Sequence, residues 1–114
     1  MPNSKSVAPV RIEVLLDGRR VAVAGIEAFG VLHATVMWVR RNPSSVTAKM
    51  RSDKEFDETH FLREICEFQL GGLDSVADKH LFWAKEALRP GSEVTIRVLP
   101  EGPYDAPSSA SDDA

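Results

Sequence analysis

The sequence predicts a mainly β chain: a single antiparallel, β-sandwich-like domain of about six to seven strands. Three observations carry this. Residues 10–23 alternate apolar and polar positions on either side of an Asp17-Gly18 pair. Residues 94–98 alternate again. Residues 30–39 form one long β-branched run that ends before Pro43. The alternative is an α+β fold with a helix at about residues 76–88.

The first two strands are the clearest. Val10, Ile12, Val14 and Leu16 share one face, and Val21 and Val23 resume the alternation on the return. Asp17-Gly18 suits a tight hairpin, because Gly accepts positive φ and Asp tolerates it. In "FGVLHATVMWVRR", Leu32, Ala34, Val36 and Trp38 form one face and Val31, His33, Thr35, Met37 and Val39 the other. Both faces are largely apolar, which predicts a central strand covered on both sides, with Trp38 in the core.

Residues 44–60 are ambiguous. Val46, Ala48 and Met50 alternate as in a short edge strand, and a charged loop follows. In "FLREICEFQLGG", Phe61, Leu62, Ile65 and Phe68 have helical spacing. Leu62, Cys66, Phe68 and Leu70 instead suit a strand that ends at Gly71-Gly72, and this reading is favoured. For "SVADKHLFWAKEALRPG", Ala77, Leu81, Ala84 and Leu88 fit a helix capped by Ser75 and Asp78, while the bulky run 80–83 fits a strand. Val94, Ile96 and Val98 form the last strand.

A length of 114 residues implies one domain. Residues 1–8 are polar and small, and residues 102–114 are rich in Pro, Ser and Asp. Disordered N-terminal and acidic C-terminal tails are therefore expected around a folded domain at 9–101. One cysteine excludes an intramolecular disulfide and favours a reducing compartment. "MPNSKSVAP" has no secretory apolar region, and no apolar run approaches the roughly 18 residues of a membrane span. A cytoplasmic chain that does not enter membranes is expected.

Lys5 and the acids of the tail, Glu101, Asp105, Asp112 and Asp113, account for the whole net charge of −3. The body is neutral overall but polarised. Arg40, Arg41, Lys49, Arg51 and Lys54 stand against Asp53 alone. Glu55, Asp57, Glu58, Glu64 and Glu67 then stand against Arg63. These runs read as solvated faces that soften each other, or as complementary patches for a protein partner.

Cys66, Asp74 and His80 are the residue types of a thiol nucleophile, an orienting carboxylate and a base. A reactive thiol needs exposure, whereas Cys66 falls among apolar residues and reads as structural. His33, His60 and His80 lack metal-ligand spacing, and His33 has apolar neighbours. No catalytic residue, metal or cofactor is expected.

The function expected from these features is non-catalytic binding of another protein, of the immunity or inhibitor, adaptor or accessory type. Pairing with a second copy through an edge strand belongs to the same class. Candidate contact residues are Arg40, Arg41, Lys49 and Arg51 from the basic segment, and the aromatics Phe82, Trp83 and Tyr104. The alternative is a nucleic-acid-binding domain that uses segment 40–54, disfavoured by the acids that follow. A small thiol-dependent enzyme is the remote alternative.

Overall fold

The computed structural model describes residues 9–112. The expected tail at residues 1–8 lies outside them. Among the described residues the chain is mainly β, with seven strands in two antiparallel sheets. They are β1 (Arg11–Leu16), β2 (Arg19–Ala24), β3 (Gly30–Val39), β4 (Ile65–Asp74), β5 (Lys79–Ala87), β6 (Val94–Leu99) and β7 (Ser109–Asp112). The smaller sheet has the order β2-β1-β6 and the larger β3-β4-β5-β7. Between β3 and β4 lie a 3₁₀ turn (Pro43–Ser45) and two short helices, α1 (Ala48–Arg51) and α2 (Glu58–Leu62).

Asp17 and Gly18 both adopt positive φ, 53° and 81°, which gives the β1–β2 turn the twist of its strands. Asp17 also locks this turn to the start of β6. Its N–H donates to the Glu93 carbonyl at 2.8 Å, and its carboxylate accepts from the Glu93 N–H at 2.9 Å.

The core forms where the sheets face each other, around Val14, Leu16, Ala22, Ala24, Phe68, Leu70, Trp83 and Ala84. Two β-bulges shape it. Val14 pairs with Ala22 but Leu15 with Arg20, so Val21 is an extra residue in β2. Leu70 pairs with Ala84 but Gly71 with Phe82, so Trp83 is an extra residue in β5. A bulge re-aims the side chain next to it. Val21 and Ala22 thus both pack towards the core, as do Trp83 and Ala84.

Several expectations are corrected. β3 is an edge strand, not a central one, because β4 alone pairs with it. His33 is exposed on the outer face, its ring lying over Gly71. Residues 44–60 are not a strand. Asn42 accepts from the Ser44 N–H, Thr47 from the Met50 N–H and Asp57 from the His60 N–H, and each side chain starts a turn of helix. The helix at 76–88 is replaced by a four-residue turn and β5. The Asp74 carboxylate accepts from the N–H groups of Val76 and Ala77, both at 3.0 Å, and holds that turn.

Residues 102–112 are not a loose tail. They form a strap that joins the two sheets along the β2–β5 flank. The Asp105 N–H donates to the Val23 carbonyl, and the Asp105 carboxylate accepts from the Val23 N–H at 2.8 Å. The Asp105 carbonyl accepts from Trp83 Nε1 at 2.7 Å. The Ser108 N–H and hydroxyl donate to the carbonyls of Phe82 and Trp83. β7 then pairs with β5. Val23 sits opposite Glu13, on the outer face, and is buried there beside the strap.

Candidate functional site

The strap closes one flank of the sandwich. The opposite flank, between the edge strands β3 and β6, stays open. Strand pairing defines which side chains face it. Ile12, Val14 and Leu16 pair with Val98, Ile96 and Val94, so these β6 residues share the inner face. Exposure rises along that row: Val94 is half-buried, Ile96 is 45% exposed and Val98 69%. β6 therefore runs off the edge of the larger sheet.

β3 does the same in the other direction. Leu32, Ala34, Val36 and Trp38 stand opposite Gly72, Leu70, Phe68 and Cys66, on the inner face. Leu32 and Ala34 pack against the core, but Val36 is 55% and Trp38 60% exposed. Four inward-facing apolar side chains thus have no layer above them. An unpaired edge bearing such residues is a template for another strand.

The two uncovered ends are diagonal to each other. Ile12, the lateral neighbour of Val98, lines an apolar hollow of about 220 Å³ with Pro9, Val10, Ile26, Ala28, Gly30 and Leu32. The free end of β6 therefore lies at the Leu32 end of β3. The free end of β3 is the Trp38 end. There Trp38 Nε1 donates to Glu64, and Trp38, Arg40, Arg41, Asn42 and Pro43 surround a shallow hollow of about 370 Å³.

The expected contact residues divide. Arg40 and Lys49 are exposed, with no ion pair among the described residues. Arg41 is turned inward onto α2, its guanidinium 4.8 Å from the Phe61 ring centre and donating to the Phe61 carbonyl at 3.1 Å. Arg51 is held by Glu58 at 2.8 and 3.3 Å, so the basic and acidic runs fold partly onto each other. Phe82 lies half-buried on the outer face, between Gly71 and Ser109. Trp83 is buried in the core, which removes it as a surface anchor. Tyr104 is 40% exposed, with its ring against Gly25. Sequence alternation puts Trp38 in the core and does not single out Val36, Ile96 or Val98 as a surface. It shows that these residues share inner faces, but not that the facing sheet stops short of them.

The Glu58 carboxyl is held below its usual range by the hydrogen bond from Arg51, and the Arg51 guanidinium is raised by the same contact. A lowered carboxylate pKa stabilises the fold above the unfolded value, and that contribution fades as pH falls through the folded value. Both side chains are exposed, so the effect is local. Glu58→Gln at neutral pH should lower amide-exchange protection in residues 58–62 while leaving the thermal midpoint within about 2 °C. Wild-type protection there, corrected for the intrinsic rate, should fall as pH drops through the folded value. Unchanged exchange in the variant would show that the pair does not dock α2.

The thiol constellation is not assembled. Cys66 is half-buried opposite Trp38, and Asp74 lies eight residues along the same strand, about 26 Å away at the rise of a β-strand. His80 pairs with Leu73, at the Asp74 end. Among the described residues, no three His, Cys, Asp or Glu side chains gather as a metal site, and no helix is long and apolar enough to cross a membrane. Comparisons of the chain with protein-family models, with curated proteins and with solved structures found no match.

Proposed function

We propose that the chain is a non-catalytic protein-binding module, of the inhibitor, adaptor or accessory type, which takes its partner along the open β3–β6 flank. One observation carries this reading. Val36, Trp38, Ile96 and Val98 face inward from two edge strands yet remain exposed, while the opposite flank is strapped shut. A partner strand laid beside β3 would pair its free edge and bury these side chains together, supplying main-chain affinity and side-chain specificity at once. The unbridged Cys66 suits a cytoplasmic setting.

Val36→Glu and Ile96→Glu test this. The two residues lie far apart in the chain but border one flank, and both are exposed, so neither change disturbs the core. Each variant should lose a stoichiometric protein ligand that the immobilised wild-type chain retains, while Tyr104→Ala keeps it. Equal retention by both flank variants rejects the reading.

A second reading, single-stranded nucleic acid on the Trp38–Arg40–Arg41 hollow, is favoured by an exposed indole beside two guanidinium groups. Glu64 on the indole and Phe61 under Arg41 weigh against it. It would show as retention on a polyanion that falls with salt and is lost in Arg40→Ala.

A further inference from the structure

We propose that the occupant of the open flank is a second copy of this chain, with β3 paired antiparallel to β3 about a two-fold axis through Thr35. This rests on the flank being the binding surface, and deepens that reading by naming the partner and the register.

The argument is one of self-complementarity. A two-fold axis perpendicular to the sheet keeps inner faces on the same side, so even-numbered β3 residues must meet even-numbered ones. Centred on Thr35, Leu32 faces the second copy's Trp38, Ala34 faces its Val36, His33 its Met37 and Val31 its Val39. The register joins what the monomer leaves unfinished. The uncovered end of β3 passes to the Leu32 end of its neighbour, where the free end of β6 extends beyond the sheet. The second copy's Val36 then lies towards Ile96, and its Trp38 towards Val98 and the 220 Å³ apolar hollow beside Leu32. Symmetry repeats each contact, so the four exposed inner-face side chains of both copies are covered in one step. A generic extended peptide would have to supply Val- and Trp-like residues at these spacings, and the chain already carries them.

Charge agrees. Arg40 follows the C-terminal end of β3 and has no ion pair among the described residues. Glu27 precedes the N-terminal end, and Asp74 pairs with Gly30 there. The axis brings each basic end to an acidic one, which favours this orientation over a parallel pairing. The seam is long as well: about nine paired residues span about 30 Å. A β6 lies over each half, so main-chain pairing and side-chain burial act together.

The test is mass against concentration for the full chain, by sedimentation or light scattering. The wild type should reach twice the 12.6 kDa of one chain. Val36→Lys and Ile96→Glu, each alone, should weaken self-association by about 100-fold and run as folded monomers. Their equimolar mixture should regain the dimer. In a mixed pair, the lysine introduced by Val36→Lys in one copy meets the glutamate introduced by Ile96→Glu in the other. On the opposite side of the axis, the native Val36 and Ile96 meet as in the wild type. A monomeric wild type overturns the proposal, as do single variants that remain dimeric, or a mixture that stays monomeric. A monomeric wild type whose protein ligand is still lost in both flank variants would sink only the second copy. Ligand retention unchanged in those variants would sink the flank reading with it.

Discussion

A chain ending at Pro103 should be less stable than the full chain by about 3–5 kcal/mol, a large part of the roughly 5–15 kcal/mol typical of a domain. The cut removes the acceptor of the Trp83 indole N–H, both Asp105 contacts to Val23 and both Ser108 contacts to β5. Orphaning a buried polar group costs about 1–3 kcal/mol. Uncovering Val23 and one edge of Trp83, which are 2% and 5% exposed, adds about 1.5–3 kcal/mol for each side chain made fully accessible. Deleting residues 104–112 also removes the entropy cost of ordering them, and this offset keeps the net loss well below the sum of the contacts. A chain ending at Ser108 keeps the strap and loses β7 alone, whose residues are all exposed, so it should fall by about 1 kcal/mol. Denaturant midpoints give both values. With Trp38→Phe, Trp83 is the sole tryptophan, and its emission should shift red at Pro103 but not at Ser108. A chain cut at Pro103 that keeps its midpoint would show that the strap does not hold the sheets together.

The strap is illegible in the sequence for a physical reason. Its composition is Pro, Ser and Asp, and such residues signal disorder because they bury little apolar surface. Here the segment is held by main-chain and Asp105 hydrogen bonds to Val23, Phe82 and Trp83, strands distant in the chain. By contrast, the β1–β2 hairpin and β6 are legible, because their alternation and the Asp17-Gly18 turn are local. Bulges explain two misplaced side chains. An extra residue at Val21 puts Val23 outside, and one at Trp83 puts that indole inside, so a strict period of two gives the wrong face from there on. β3 misleads differently. Its two apolar faces suggest a strand buried by its own chain, whereas its inner face is only half covered. Alternation reports what a side chain prefers to touch, not whether the same molecule supplies it.

The glycines of β4 connect the fold to this flank, and Gly72→Ala should cost about 3 kcal/mol. A Cβ at Gly72 would lie 2.3 Å from the Val31 carbonyl oxygen, a backbone atom of the paired strand that cannot move without opening the β3–β4 ladder. Gly71 is less severe, with the Leu81 carbonyl oxygen at 3.0 Å and the movable His33 ring at 3.2 Å. Gly18→Ala, in open space at φ 81°, should cost only about 1 kcal/mol through backbone strain. By sequence the Gly71-Gly72 pair reads as the end of a strand. β4 instead runs through both residues, and small side chains are needed there because β3 and its His33 ring approach closely. Displacing Val31 moves the end of β3 that, in the proposed dimer, receives the second copy's Trp38. Gly72→Ala should therefore lose stability and self-association together, whereas Val36→Lys loses association and keeps the midpoint of the isolated chain. Denaturant midpoints of dilute samples, read beside mass against concentration, separate the two. If Gly72→Ala loses stability yet still associates like the wild type, β3 is not the strand that joins the copies.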